Sequence, residues 1–493
     1  MCRKFTTFLL VLLHLLAIIN VIKCQQDEPE VVKKAWSGVI EAMDWVRLSM
    51  SLKGSNHNES SYSSLHLTAL SDCARLYEDT EPRLAKLVRG KDCSGDDSVA
   101  WLSAAASSHR SCLDGLQEKG LASNHEGAYK NLTLLLEDAL AFYGNKKITK
   151  SGGKVQKSQN LVQNEGLLAS WSAASFKADL IVAQDGSGSY KTIKGAVDAL
   201  SKMGDNRPQR VIIYVKSGVY AEKVDIRRDL KNIMFVGDGI DKTIVTGDGN
   251  VKDGATTLTS ATFGVSGDGF WARDMTFENT AGPEKHQAVA LRVASDFSLF
   301  YKCSIKGYQD TLLVHSLRQF YRDCQIYGTI DYIFGNAAAV FQNCDMLVRK
   351  PMQHQGNMIT AQGRQNLQEN TGISIINSRI LPAPDLSAVK NQFKTFLGRP
   401  WKQYSRTVII KTDLDGLIDP KGWAEWSGDF ALSTLYYGEY MNTGNGAATT
   451  QRVDWPGFHV IKDSEEANSF AAKNFINGDQ WIPATGVPFS PDI

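Results

Sequence analysis

Two hydrophobic periods divide the chain. From about Val31 to Tyr143 apolar residues recur at helical spacing: Trp36, Val39, Ile40, Met43 and Val46 share one face, and Leu132, Leu135, Ala139 and Tyr143 another. Two further helical patterns, around Leu65 to Leu87 and Val99 to Leu116, bring the number to four, for which an antiparallel bundle is the economical packing. Residues Gly144 to Lys177 lose the periodicity and are rich in Lys, Gly, Ser, Gln and Asn, as a linker would be. From Ala178 onward the pattern is one of short strands, beginning with Leu180 to Val182, a glycine-rich turn and a helix from about Ile193 to Leu200. RVIIYV at Arg210 to Val215 and NIMFVG at Asn232 to Gly237 follow, and no region reads as a βαβ array. The turn itself, GSGSY, lacks the lysine of a phosphate loop.

Within the strand-rich part a motif repeats. Aromatic-x-x-(x)-Cys-x-apolar occurs as FYKCSI from Phe300, FYRDCQI from Phe320 and FQNCDM from Phe341, with looser copies from Phe270 and Ile373. A period of 20 to 30 residues without intervening helices predicts a solenoid of stacked parallel strands, a parallel β-helix. Residues one coil apart then become neighbours about 4.8 Å away. Cys303, Cys324 and Cys344 would form a column near the ~5.5 Å Cα spacing that disulfides prefer, and geometry alone permits Cys303–Cys324 as readily as Cys324–Cys344.

The same step brings together Asp310 and Asp331, 21 residues apart in GYQDTLLVHSLRQFYRDCQIYGTIDYIFG. Two carboxylates one strand spacing apart cannot both ionise freely; one becomes an acid while the other remains an anion and a potential nucleophile. Gln287 lies one coil before Gln309, so both amides can donate to a developing oxyanion, or else form a side-chain ladder along the stack. There is no G-x-S-x-G elbow to supply a serine nucleophile, and the nine histidines show no zinc-binding spacing, so no metal or cofactor is expected.

Composition places the chain. Its 493 residues allow two or three domains, and a net charge of +1 gives no reason to expect nucleic-acid binding. Arg3 and Lys4, the apolar run Phe5 to Ile22 and a polar segment after Cys24 have the layout of a signal peptide over residues 1–24; an uncleaved anchor is the other reading. Secretion would make the eight cysteines candidates for disulfides and the sequons at Asn58 and Asn131 candidates for glycosylation.

Five blocks in order resemble the plant pectin methylesterases: GVYAE at Gly218, QAVAL at Gln287, GYQDTL at Gly307, DYIFG at Asp331 and LGRPW at Leu397. The resemblance implies a right-handed parallel β-helix over 178–493, hydrolysing methyl esters of cell-wall homogalacturonan to pectate and methanol. Asp331 would attack the ester carbonyl to give an acyl-enzyme, and Asp310 would serve as acid and then base. Gln287 and Gln309 would line the oxyanion site, Arg399 would clamp Asp331 or form a mere surface ion pair, and Thr257 and Trp401 would contact the sugar. Tyr308 and Phe334 are candidate cleft walls, and Glu222, though in a family motif, is assigned to structure. The resemblance favours a Cys324–Cys344 disulfide with Cys303 free.

Cys73 and Cys112 match the second cysteine pair of the pectin methylesterase inhibitor family, implying a four-helix inhibitor-like bundle over 31–143 joined by that disulfide. Its first cysteine pair has no counterpart here, and Cys93 is extra. Relatives are cleaved after a basic, Leu-Leu-containing site, whereas EGLLASW at Glu165 to Trp171 has the leucines without the basic pair, so the bundle is expected to stay attached. A secreted, cell-wall, monomeric protein follows, acting on pectin, open to proteinaceous inhibitors and not inserted in a membrane after signal cleavage. The rivals are a β-helix pectin glycosidase, which also needs two carboxylates about 5 Å apart, and a catalytically silent inhibitor or wall-binding protein.

Overall fold

The computed structural model describes residues 30–51, 64–90, 94–121, 126–149, 166–204 and 207–493. The expected signal peptide, Asn58 and Cys93 lie outside these residues. No described helix is long and apolar enough to cross a membrane.

Four helices, α1 (Glu30–Ser51), α2 (Ser64–Val88), α3 (Gly95–Glu118) and α4 (Glu126–Thr149), pack successively, and α4 closes back on α1. The expected faces are rotated slightly. Val39, Val46, Leu132 and Ala139 reach the core with Val32, Ala35, Leu136 and Leu140, while Trp36, Met43, Leu135 and Tyr143 pack at its edge. Cys73 and Cys112 join α2 to α3 by the expected disulfide. Asn131 is exposed on α4. Helix α3 starts with a capping box: the Ser94 hydroxyl accepts from the Asp97 N–H, and the Asp97 carboxylate accepts from the Ser94 N–H. Its middle, Ser103 to Ser108, is buried throughout and made of Ser and Ala, so α3 can press one side into the bundle and the other onto the second domain.

The rest is a parallel β-helix of three sheets with eleven, seven and eight strands, every pairing parallel. Strands of the seven-stranded sheet advance one coil at a time, Leu291 beside Leu312 beside Ile333. The aromatic column runs Phe300, Tyr321, Phe341, stacked at 5.0 and 4.5 Å. Tyr321, not Phe320, continues the repeat; Phe320 faces outward against Phe489. From the strand Trp271–Arg273 onward, each coil turns out of the eleven-stranded sheet toward the eight-stranded one on one left-handed residue, including Asp274, Lys302, Asp323, Asn343 and Asn377. Asp and Asn tolerate that conformation best, which explains the polar residue just before each repeat cysteine of the later coils.

The expected Cys324–Cys344 disulfide is absent: Cys303, Cys324 and Cys344 are buried free thiols. In-register neighbours on parallel strands point the same way, so their Cβ atoms keep roughly the ~4.8 Å strand spacing instead of closing to the ~3.8 Å a disulfide needs. The Cys344 Sγ instead lies 3.4 Å from the Cys324 backbone N–H. Burial pushes both thiols far above their ordinary range, which keeps them as unreactive SH.

Glu222 is structural, as its placement predicts: its carboxylate accepts from the backbone N–H groups of Ile193 and Lys194 at 2.9 Å each, capping the helix Ile193–Met203. The stretch expected as a linker is structured at both ends. Residues 144–149 complete α4, and Leu168 and Trp171 bury themselves on the outer face of the eleven-stranded sheet. Arg273 donates to the carbonyls of Leu168 and Ala169 at 2.8 and 2.9 Å, pinning the LLAS turn.

Candidate active site

The site forms on the outer face of the seven-stranded sheet. Val289, Leu313, Phe334 and Ala361 make an apolar floor, against which Trp401 packs with its ring 6.0 Å from that of Phe334. Gly363 permits this, because a side chain there would meet the Trp401 ring at 2.8 Å. Tyr308, expected as a wall, is turned away: its hydroxyl accepts from Arg349 at 2.6 Å, and the guanidinium stacks on its ring.

Asp310 and Asp331 stand at the entry to adjacent strands, two residues before Leu312 and Ile333. The Asp310 N–H bonds the Ile330 carbonyl at 3.0 Å, fixing the coils in register. Both aspartates adopt left-handed backbone, φ 62° and 50°, which turns each carboxyl out of the pleat while the following residue resumes the strand. Both are nearly buried.

Burial and the neighbouring Asp331 push the Asp310 carboxyl well above the carboxylate range, with Arg399 opposing. Burial also raises Asp331, but Arg399 counters it by donating Nε and Nη2 to its two oxygens at 2.9 and 2.6 Å. The fork is a partly buried contact, so the surface-pair reading of Arg399 fails. Gln287 and Gln309 lie on neighbouring coils, linked by the bond from the Ala288 N–H to the Gln309 carbonyl at 3.2 Å. Both line a cavity of about 360 Å³ together with the two aspartates, Arg399, Thr257 and Trp401. All seven expected site residues thus share one cavity.

Three features escaped the sequence reading. Trp426 stacks on the far side of Arg399, its ring 4.4 Å from the guanidinium carbon. Lys402, directly after LGRPW, also faces the cavity. Most consequentially, α3 forms the opposite wall through Ser107, Ser111, Asp114 and Glu118, so the bundle covers the cleft. The Thr257 hydroxyl donates to Glu118 at 3.1 Å, the Ser111 hydroxyl meets the His315 ring at 2.9 Å, and Arg318 reaches Asp97 at 2.7 Å. Arg75 and Arg83 of α2 pair with Asp225 and Asp268 at 2.6 and 2.5 Å. A signal for α3 existed only in hindsight: no periodicity marks a polar helix face that another domain will bury.

Comparison with known proteins agrees with this geometry. The pectinesterase family model matches residues 179–479, and that described as plant invertase/pectin methylesterase inhibitor matches residues 32–142. Probable pectinesterase/pectinesterase inhibitor 36 of Arabidopsis thaliana is 53% identical over 99% of each chain, and pectinesterase 2 of Citrus sinensis is 50% identical over 86% of this chain and 82% of its own. Among solved structures, the pectin methylesterase from carrot aligns with TM-score 0.64 and 53% identity over 65% of this chain and 100% of its own. With both domains matched in order and a relative alike from end to end, this chain belongs to the pectinesterase family, as an enzyme that carries an inhibitor-type bundle ahead of its β-helix.

Proposed function

We propose that the β-helix hydrolyses methyl esters of homogalacturonan through an aspartyl acyl-enzyme. The carrying observation is the asymmetry of two adjacent buried carboxyls, one forked by Arg399 and the other pushed up by burial and by its neighbour. Asp331, held ionised and aimed by Arg399, attacks the ester carbonyl. Gln287 and Gln309 donate N–H groups to the oxyanion that forms. Protonated Asp310 gives its proton to the departing methoxide, so methanol leaves and an anhydride links Asp331 to the sugar. Asp310, now ionised, takes a proton from a water that attacks the acyl carbon, and collapse frees galacturonate and Asp331. Trp401 and Phe334 offer apolar faces to the sugar rings.

Secretion to the cell wall fits this substrate and the leader-like start of the chain. The bundle acts as an intramolecular inhibitor, because α3 occupies the wall of the cleft that a polysaccharide must enter. Attachment is persistent: the LLAS turn lacks a basic pair and its Leu168 side chain is buried.

The test is to incubate the secreted protein with highly methylated pectin and measure methanol and reducing ends separately. Methanol without new reducing ends is expected; reducing ends without methanol would replace the esterase reading with a glycosidase one. The bundle is tested by comparing kcat/KM of residues 25–493, confirmed intact by mass, with residues 166–493. Equal values would mean that the bundle does not inhibit.

A further inference from the structure

Trp426 hangs from a loop that runs beside the last strand of the seven-stranded sheet, Thr395–Gly398, the strand that Arg399 directly follows. Thr395 bridges Ile418, the Leu397 N–H donates to the Gly422 carbonyl at 2.7 Å, and the Ala424 N–H donates to the Gly398 carbonyl at 3.0 Å. Trp423 anchors this loop. It is fully buried, stacks on Tyr437 at 4.1 Å and donates to Glu439, which Arg452 holds by bonds of 2.8 and 3.1 Å. Three residues on, Trp426 is 37% exposed, so packing into the core does not account for it. Its ring lies 4.4 Å from the guanidinium carbon of Arg399, and the anchored loop therefore sets a flat aromatic wall against that cation.

The wall matters because Arg399 has two anionic partners to choose from. A cation beside two carboxyls one coil apart gains by giving an N–H to each, yet Nε and Nη2 both go to Asp331. Hydrogen bonding alone does not impose this, since a guanidinium can fork onto either carboxyl or bridge the pair. Stacking restricts the plane of the fork, and with it the carboxyl that the fork can meet edge-on. Among the described residues the guanidinium makes no other hydrogen bond or ring contact. The remaining charged and titratable groups around the pair are engaged elsewhere or neutral: Lys402 is held by Asp114 and Arg110 by Glu369, and Glu118 acts on Asp310. Burial and Arg75 lower His315 to about 4, and burial keeps the Tyr437 hydroxyl protonated.

We propose that Trp426 is a positioning residue: by holding the guanidinium plane of Arg399 it commits that cation to Asp331 and prevents its being shared with Asp310. This rests on the acyl-enzyme reading above, in which Asp331 is ionised while Asp310 is protonated. Sharing the cation would raise Asp331 and lower Asp310 together, whereas losing the cation would raise both. A falling basic limb in the pH profile is thus the mark of sharing.

The test is the pH dependence of methanol release from highly methylated pectin by the full-length chain, as wild type, Trp426→Ala, Trp426→Leu and Trp426→Phe, repeated on residues 166–493 to remove the charges of α3. In Trp426→Ala the acidic limb of kcat/KM should move up and the basic limb down, by about half a pH unit each, the worth of an exposed cation–π contact. At the optimum kcat should fall about tenfold while KM changes less than about twofold. Trp426→Leu keeps apolar bulk without a stacking face and should behave like Trp426→Ala; Trp426→Phe keeps a face and should recover most of the width of the profile. Limbs that stay in place while KM rises, a Trp426→Leu that matches Trp426→Phe, or narrowing in only one of the two forms would overturn the positioning role. A wild type that releases no methanol would instead overturn the esterase reading, and this role with it.

Discussion

Arg399 forks onto Asp331 and not onto Asp310, although the two carboxyls sit on adjacent coils. That choice divides the labour, because burial alone would raise both. Removing the fork should therefore raise Asp331 further. In Arg399→Ala the acidic limb of the kcat/KM profile should move to higher pH, and activity at the optimum should fall by roughly 10²-fold or more, as when an oriented nucleophile loses its positioning group. Arg399→Lys should recover charge without the fork and sit between the two. An acidic limb that stays in place in both variants would show that Arg399 does not set the ionisation of Asp331.

Asp331→Asn should abolish turnover, while Asp310→Asn should fold and lose on the order of 10²- to 10⁴-fold, the usual weight of a general acid–base. Stability separates the roles from mere damage. With its folded pKa above the unfolded value of about 3.9, Asp310 binds a proton more tightly in the folded state; that advantage is complete at low pH and is lost as pH rises toward the folded pKa. Above that, wild type carries the full cost of a buried charge pair. Asp310→Asn should therefore gain Tm relative to wild type as pH rises from about 4 toward neutrality, even as its activity collapses. A parallel fall in Tm at every pH would point to a structural defect.

Period and motif made the solenoid, the Asp310–Asp331 adjacency and the Arg399 clamp legible, since a strict coil step translates sequence distance into spatial neighbourhood. What stayed hidden depends on direction. Tyr321 and Phe320 are both aromatic, and only the pleat decides which points inward. The cysteine column had the correct spacing and the wrong chemistry, because parallel in-register side chains do not converge. Trp426 reaches Arg399 from a loop with no period of its own. The α3 face reads as solvent-exposed polar sequence because its partner is a separate domain more than 100 residues away in the chain.

Thiol chemistry checks the cysteine geometry. Peptide mapping after blocking with an alkylating agent under native conditions should find Cys73 linked to Cys112 and should find Cys303, Cys324 and Cys344 unmodified until the protein is unfolded. A native Cys324–Cys344 cross-link would reinstate the bond expected from the family. Because the bond closes a loop of 39 residues, Cys112→Ser should destabilise the bundle by about 2–4 kcal/mol and raise the basal activity of the full-length chain. The β-helix transition in a melt should stay where it was.

Among the titratable groups buried at the bundle interface, Asp72 and His315 oppose each other. Asp72 of α2 lies beneath the interface against the Thr256 hydroxyl, and burial raises it to about 6, against the pull of Thr256, Arg75 and Lys223 and with the push of Glu118. His315 of the β-helix lies against Ser111, and burial, with Arg75, lowers it to about 4. On undocking, Asp72 should return toward 4 and His315 toward 6.5. Between those values docking takes up a proton at Asp72, which favours closure at low pH, and releases one at His315, which favours closure at high pH. These two slopes oppose each other, so the pair by itself should leave inhibition by the bundle nearly flat from pH 4 to 6. Separating them exposes each. In His315→Gln the ratio of bundle-free to full-length kcat/KM should fall with rising pH, by up to about 100-fold across the window, because each unit carries tenfold for one proton. In Asp72→Asn the ratio should rise over the same range. Measuring the ratio cancels the pH dependence of catalysis itself, since both forms share one active site. Slopes of the same sign in the two variants would refute the opposition of Asp72 and His315.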